Sequence, residues 1–226
     1  MSTAVITGTS RGLGRALAER LLAEGWSVHG FSRSVGGLTH PRFTAHAVDI
    51  SDEGAVRAAV DQICDPIDLL VNNAGSASLN ALLLTPGSVA ASLMRVNYLG
   101  AFHCLQSVGK AMVRQRRGLV INITTVAVPL SLEGEAAYVA SKAALDALTK
   151  VAAAELAPQG VRVIGLGFGP LSTDLTRAVP ALKLAELDAR LGRPQGTSLS
   201  QAVDFIMHHL PAASSASGSI AYLARL

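Results

Sequence analysis

The sequence predicts an α/β protein built on a doubly wound parallel sheet. Short apolar runs rich in β-branched residues alternate along the chain with longer segments rich in Ala and Leu. The apolar runs are continuous, which is typical of strands buried on both faces of a parallel sheet. Regular alternation of strand and helix favours βαβ crossovers. With 226 residues, the length favours one domain spanning residues 1–226.

Seven apolar runs bounded by turn-forming residues are predicted to be strands. They are Thr3–Gly8, Trp26–Ser32, Phe43–Ile50, Asp68–Gly75, Gly118–Thr124, Val161–Gly167 and Gly218–Leu223. Helical patterns lie between them at 13–24, 52–63, 86–114 and 136–157, and Ser198–Leu210 is a further helix. Residues 172–195 are interpreted as a mobile lid with a short helix, because Leu184, Leu187 and Leu191 fall at helical spacing.

Composition and charge argue against several classes of protein. The chain has 19 Lys and Arg against 16 Asp and Glu, a net charge of +3, with no basic stripe carrying aromatic residues, so nucleic acid is not an expected partner. Cys64 and Cys104 lack the spacing of a zinc site or a disulfide framework. No leader is visible and no apolar run reaches about 18 residues, so we expect a cytoplasmic protein with no membrane segment and no metal.

A glycine-rich turn follows the first predicted strand. Gly8 would permit a tight turn, Gly12 would let the backbone approach a pyrophosphate, and Gly14 would let the next helix pack closely on the sheet. Backbone N–H groups at the start of that helix would then face the anion. The turn alone leaves a purely structural role open, because glycine-rich turns occur in many contexts.

Four motifs in order resemble those of the short-chain dehydrogenase/reductase family. They are "TGTSRGLG" at 7–14, "NNAG" at 72–75, Asn97 in "RVNYLG", and "YVASK" at 138–142. The resemblance covers the chain to about residue 175 and, more faintly, to residue 222. It implies a Rossmann-like sheet with strand order 3-2-1-4-5-6-7 and a nucleotide-binding half at about 1–115. The catalytic helix, the substrate loop 172–195 and the C-terminal helix and strand would form the remainder.

The resemblance implies a catalytic group of Tyr138, Lys142, Thr125 and Asn97. Tyr138 and Lys142 are four residues apart and share one helix face, so the ammonium would favour the phenolate and let Tyr138 act as general acid and base. Thr125 stands thirteen residues before the tyrosine, where the family has serine, and it keeps a hydroxyl. The Asn97 amide would hold a proton-relaying water; the alternative is a helix-kinking asparagine bonded to backbone.

The cofactor implied by the resemblance is NADP(H). Ser32 ends the second predicted strand, where an acidic residue would repel a 2′-phosphate. Arg33 and Arg11 are placed to bind that phosphate, although both could be surface charges. The resemblance also implies which residues contact the other parts of the cofactor. The glycine turn, with Gly8, Thr9, Ser10, Arg11, Gly12, Leu13 and Gly14, would bind the pyrophosphate, whereas Asp49 and Ile50 would contact adenine and Asn73, Ala74 and Gly75 the adenosine ribose. Tyr138 and Lys142 would contact the nicotinamide ribose, and Gly169, Leu171 and Thr173 the carboxamide.

The resemblance predicts an NADPH-dependent reductase of a neutral, mostly apolar ketone or aldehyde. The residues expected to face substrate are Val126, Val128, Leu130, Leu132, Phe168 and the lid leucines. Ile164 and Phe168 stand where the family has Asn and Pro. The altered Thr125 and Phe168 leave open a non-redox or net-neutral enzyme (an epimerase, dehydratase or cyclase), and a cofactor-binding sensor is a third alternative. We expect a homodimer through the helices 86–114 and 136–157; a tetramer is possible, although the chain ends in "AYLARL" without the family's Asp-Gly-Gly segment.

Overall fold

Strands and helices alternate in the computed structural model, which describes residues 2–171, 181–192, 196–211 and 214–224. The strands are β1 (Thr3–Thr7), β2 (Ser27–Ser32), β3 (Phe43–Ala47), β4 (Leu69–Asn72), β5 (Gly118–Thr125), β6 (Val161–Phe168) and β7 (Ile220–Tyr222). The α-helices are α1 (Gly12–Ala23), α2 (Glu53–Asp61), α3 (Gly87–Met94), α4 (Gly100–Gln115), α5 (Ala127–Leu130), α6 (Ala136–Leu156), α7 (Ala181–Arg190) and α8 (Leu199–His208). Short 3₁₀ turns lie at Leu82–Leu84 and Ala157–Gln159.

Within the described ranges the strands form one parallel sheet in the order β3-β2-β1-β4-β5-β6-β7. The predicted fold class and strand order are therefore confirmed. The two halves of the sheet meet between β1 and β4, where the order of the strands reverses. In such sheets ligands bind at the carboxyl ends of the strands near this point.

Each central strand presents alternate side chains to two apolar layers. In β1, Ala4 and Ile6 pack with α1 and α8 on one face, whereas Val5 packs with α2, α4 and the C-terminal part of α6 on the other. All three side chains are fully buried. Burial on both faces explains why the sequence shows continuous apolar runs instead of alternation.

β3 and β4 each end three residues earlier than the sequence predicts, whereas β1 and β7 end one residue earlier. β4 stops at Asn72, not Gly75, because the backbone N–H groups of Asn73 and Ala74 turn to the Thr7 hydroxyl, at 3.0 and 2.9 Å. β3 stops at Ala47, not Ile50. The residues beyond both ends are thereby released to line the carboxyl edge of the sheet.

The helix predicted over 86–114 is interrupted. α3 ends at Met94, α4 begins at Gly100, and the residues Arg95–Leu99 between them form a π-helical turn. Asn97, at the centre of this turn, is buried and points its amide into the protein. Such turns widen a helix by one residue and are frequent at functional sites. The apolar periodicity continues through the turn, so the sequence gives no signal for it.

The predicted lid is represented by α7, which confirms a helix in this segment; residues 172–180 and 193–195 lie outside the described ranges. The predicted helix at the C-terminal end is α8, and Ser198 and Gln201 cap it reciprocally. Helix α5, directly after β5, was not predicted. None of the described helices is long and apolar enough to cross a bilayer.

Candidate active site

A cleft of about 1310 Å³ opens along the carboxyl ends of the strands. Its walls come from the loops that follow β1, β2, β3, β4, β5 and β6, and from α7. The predicted cofactor residues that line it are Gly8, Ser10, Arg11, Gly12, Leu13, Ser32, Arg33, Asp49, Ile50, Asn73, Ala74, Gly75, Tyr138, Lys142, Gly169 and Leu171. The fold thus brings together side chains from six separate loops into one site.

Two predicted cofactor residues within the described part of the chain, Thr9 and Gly14, do not line the cleft. Thr9 is buried, and its hydroxyl packs against Gly30. A Cβ added to Gly30 would lie 2.4 Å from the Thr9 hydroxyl oxygen. Gly14 is buried as well, on the inner side of α1. Thr173 falls outside the described residues. Thr9 and Gly14 therefore stabilise the glycine turn from its buried side. The spacing of the motif alone does not distinguish such residues from those that would contact the cofactor.

The glycine turn after β1 has the geometry of a phosphate cradle. Gly8 and Gly12 adopt φ values of +77° and +59°, which side-chain-bearing residues rarely adopt. A Cβ on Gly14 would lie 2.4 Å from the Gly8 carbonyl oxygen and 2.5 Å from the Asn73 amide nitrogen. Helix α1 therefore packs against the turn as predicted, with its N-terminus facing the cleft. These residues fit a dinucleotide pyrophosphate.

One end of the cleft is basic. Arg11 and Arg33 are exposed side chains that line it. Asp49, across from Arg33, accepts hydrogen bonds from the Ser51 backbone N–H and hydroxyl, at 2.9 and 2.8 Å. These bonds, and secondarily the charges of Arg33 and Arg95, lower the pKa of the Asp49 carboxyl. An ionised Asp49 close to the guanidinium groups of Arg33 and Arg95 suits the adenosine end of a nucleotide.

Tyr138 lies in the first turn of α6, and Thr125 lines the same part of the cleft and acts on its hydroxyl. The Thr125 hydroxyl also accepts a hydrogen bond from the Ala127 backbone N–H at 3.2 Å, so α5 helps to fix its orientation. Burial raises the pKa of Tyr138 to about 12; the Thr125 hydrogen bond lowers it and the Glu135 charge adds to the rise. Loss of solvent is the largest of these effects, and the phenolate favoured by Lys142 stays a prediction.

Lys142 lies one turn further along α6 and is buried. Its ammonium donates to the Ile123 carbonyl oxygen at 2.7 Å. Burial lowers the pKa of Lys142 to about 8, and the negative charge of Asp146 partly opposes this. A Cβ on Gly75 would lie 3.6 Å from the Lys142 ammonium and 3.1 Å from the Asn97 amide oxygen. The glycine therefore leaves room for the lysine beside the cleft.

The Asn97 side chain joins two segments beside the cleft. Its amide oxygen accepts from the Ser76 backbone N–H at 2.8 Å, and its amide nitrogen donates to the Ser76 carbonyl at 2.8 Å and the Ser141 hydroxyl at 2.9 Å. Both N–H donors are used, and Asn97 does not line the cleft. The amide thus fixes the loop after β4 to α6, in keeping with the alternative of an asparagine bonded to backbone, and the water-holding role stays a prediction.

The other end of the cleft is largely apolar with acidic residues at its margin. The expected substrate-facing residues that line it are Val126, Leu130, Leu132, Phe168, Leu184 and Leu187. Val128 and Leu191 do not line it, and Leu191 is buried. Phe168 extends β6 by pairing with Thr125, and its ring packs edge-on against Phe205 with centroids 5.8 Å apart. Sequence reasoning missed Glu133, Glu135 and Glu186, which also line this end. The position of Glu135 three residues before Tyr138 was a signal that could have found it.

Among the described residues, no three His, Cys, Asp or Glu side chains converge as ligands of a metal ion would. A parallel sheet with a glycine cradle and a Tyr–Lys pair in one cleft defines the class of nucleotide-dependent oxidoreductases. Comparison with known proteins places the chain within that class. The family model described as short chain dehydrogenase matches residues 2–183.

Curated relatives and solved structures agree with this match. The chain is 33% identical over 190 residues to the 3-oxoacyl-(acyl-carrier-protein) reductase FabG of Staphylococcus aureus, covering 78% of this chain and 77% of the relative. It is 32% identical over 217 residues to FabG of Vibrio harveyi, covering 90% and 88%. A gluconate 5-dehydrogenase from Burkholderia cenocepacia, in complex with NADP and tartrate, superposes with a TM-score of 0.89 at 29% identity, covering 98% and 93%. This protein belongs to the short-chain dehydrogenase family of oxidoreductases.

Proposed function

We propose that the protein is an NADPH-dependent carbonyl reductase that converts a ketone or aldehyde to an alcohol. The observation that carries the proposal is that Tyr138, Thr125 and Lys142 line the same cleft as the glycine cradle. A protonated phenol can donate the proton that reduction requires. Because burial raises the Tyr138 pKa to about 12, this transfer would depend on the Lys142 ammonium to stabilise the phenolate that remains.

The cofactor assignment is supported by the glycine turn and the two arginines. The N–H groups at the start of α1 would bind the pyrophosphate, and Arg33 and Arg11 would bind the 2′-phosphate by paired hydrogen bonds. Ser32, at the end of β2, places no negative charge against that phosphate. The NADP found with the gluconate 5-dehydrogenase is consistent with this choice.

When bound, the nicotinamide supplies a hydride to the carbonyl carbon. Thr125 and Tyr138 hold the carbonyl oxygen through their hydroxyl groups. As the C–H bond forms, Tyr138 donates its proton to the oxygen, so the C=O double bond becomes a C–OH single bond. The Lys142 ammonium lies on the same helix face and stabilises the phenolate that remains. With its pKa near 8, Lys142 is also able to exchange a proton near neutral pH.

The body of the substrate would be apolar, because Val126, Leu130, Phe168 and the α7 leucines face this end of the cleft. Dispersion and burial would bind such a group without a specific hydrogen bond. The Thr125 methyl group adds to the apolar wall and restricts rotation of the side chain. A compact ketone with a hydrocarbon body fits these walls.

The proposal is tested by following NADPH absorbance with a panel of aliphatic and aromatic ketones. We expect NADPH consumption with stoichiometric alcohol, retention of turnover in Thr125→Ser, and loss of more than about 100-fold in kcat for Thr125→Val, because removal of general-acid and oxyanion contacts typically costs 10²–10⁴-fold. Product formation without net NADPH oxidation would favour an epimerase, dehydratase or cyclase. Binding of NADPH with no product from any compound would favour a sensor.

A further inference from the structure

Glu135 and Tyr138 lie close together at the substrate end of the cleft. Glu135 directly precedes α6 and Tyr138 follows in its first turn, and both line the cleft. Side chains three residues apart at a helix start have Cβ atoms about 5–6 Å apart. The charge of Glu135 also acts on the Tyr138 hydroxyl. In a substrate whose carbonyl oxygen is held by Tyr138, atoms a few bonds away from the carbonyl would therefore lie close to the Glu135 carboxylate.

The Glu135 side chain has no hydrogen-bond or ion-pair partner among the residues that the structure describes. It occupies the position from which a side chain can cap α6, yet it makes no capping hydrogen bond. Its carboxylate is half-buried and forms neither a side-chain hydrogen bond nor an ion pair within the described ranges. A carboxylate that is partly removed from water without a partner is unfavourable. A ligand that offers a charged donor would satisfy it.

The charges around Glu135 are of one sign. Glu133 and Glu186 line the same end of the cleft. The basic lining residues in the described part of the chain are Arg11 and Arg33 at the adenosine end, and Lys142, whose ammonium is bonded to the Ile123 carbonyl. An anionic substrate would meet three carboxylates, whereas a cationic one would be attracted.

We propose that the substrate is a ketone or aldehyde that carries a protonated amine, and that Glu135 binds this ammonium group. The inference rests on the proposed carbonyl reductase function and adds one feature to it. The apolar walls still receive the hydrocarbon body, and the hydride and proton transfers are unchanged. Glu135 determines specificity and takes no part in the chemical step.

The test uses three ketones with the same carbon skeleton, in which one position carries an ammonium, a hydroxyl or a carboxylate group. For the wild-type protein with NADPH we expect kcat/KM to be highest for the ammonium compound, by about tenfold over the hydroxyl compound, and lowest for the carboxylate. A hydrogen bond to a charged group is typically strong enough for a preference of this order.

The decisive variant is Glu135→Gln, which keeps the shape of the side chain and removes its charge. Relative to the hydroxyl compound, it should lower kcat/KM for the ammonium compound about tenfold, mainly through KM, because any effect of the lost charge on Tyr138 is common to both compounds. Glu155→Gln is the matched control, because Glu155 is exposed on the same helix and does not line the cleft. It should change neither value. Glu135→Lys should shift the preference towards the carboxylate compound.

Two results would overturn the inference: equal or better reduction of the hydroxyl compound by the wild type, or an equal loss for both compounds in Glu135→Gln. Binding of each compound to the NADPH complex, measured by the change in NADPH fluorescence, tests the same preference for a ketone that is not turned over. Equal binding of all three compounds contradicts the role of Glu135 and leaves the reductase proposal intact. Failure of the protein to bind NADPH would contradict the reductase proposal itself.

Discussion

Replacement of Arg33 by aspartate should change the cofactor preference of this protein. Arg33 directly follows β2, is exposed, and lines the adenosine end of the cleft. It contributes to no apolar cluster, so the substitution should leave the fold intact. The guanidinium group is expected to bind the 2′-phosphate of NADPH, a group that NADH lacks.

The magnitude follows from the exposure of Arg33 and the charges beside it. A hydrogen bond between charged groups contributes about 1.5–3 kcal/mol, and solvent around an exposed guanidinium favours the lower value. About 1.5 kcal/mol corresponds to roughly tenfold in affinity. The new carboxylate would also repel the 2′-phosphate and lie near Asp49, whose pKa the Arg33 charge now helps to lower. We therefore expect a 10- to 100-fold increase in the KM for NADPH.

The assay compares steady-state KM values for NADPH and NADH with one ketone at fixed ionic strength. The KM for NADH should change by less than about threefold, because no phosphate contact is lost. Arg57→Asp is the matched control, because Arg57 is exposed on α2 and lies outside the cleft. This substitution changes the net charge by the same amount as Arg33→Asp. Equal increases for both cofactors in Arg33→Asp, or equal effects of the two variants, would refute the assignment.

Three further predictions concern the active site and the sheet. Tyr138→Phe should lower kcat by at least about 100-fold while the Kd for NADPH, measured by fluorescence, changes less than threefold, because the phenol acts on the carbonyl oxygen. Gly14→Ala should reduce the free energy of unfolding in urea by about 1–3 kcal/mol, because its Cβ would lie 2.4 Å from the Gly8 carbonyl oxygen. Burial lowers the pKa of His29 and of His46, which share a hydrogen bond of 3.0 Å. The unfolded chain therefore takes up their protons first, and the free energy of unfolding should fall as the pH drops below about 6.5.

Matched positions elsewhere in the chain provide the controls. Gly37 has open space around its Cα, so Gly37→Ala should leave the free energy of unfolding nearly unchanged. Equal destabilisation at Gly14 and Gly37 would contradict the close packing of α1. In the double variant His29→Gln, His46→Gln, the free energy of unfolding should depend less on pH between pH 7 and pH 5. An unchanged pH dependence would show that other groups cause the loss of stability. Turnover by Tyr138→Phe at the wild-type rate would remove the tyrosine from the mechanism.

The elements of this fold were predictable because their signals are local. Burial on both faces makes a strand such as β1 continuously apolar. Gly8 follows the end of β1 and Gly12 begins α1, and both adopt positive φ values. The Tyr138 and Lys142 pair is visible because spacing along a helix determines which side chains share a face. The alternation of strands and helices, together with the order and spacing of the motifs, was sufficient to predict the fold class, the strand order and the family.

The uses of individual side chains were decided by contacts between distant segments. The π-helical turn that carries Asn97 leaves no trace in the apolar pattern, and the amide finds Ser76 and Ser141 only after α3, α4 and α6 have packed. Burial of the Tyr138 hydroxyl likewise depends on the walls of the finished cleft, and it raises the pKa of the phenol. The sequence does not distinguish Glu135 from a surface glutamate, and only the folded chain leaves its side chain half-buried with no partner among the described residues. Local propensity and spacing are properties of neighbouring residues, whereas desolvation and hydrogen-bond partners belong to the assembled tertiary structure.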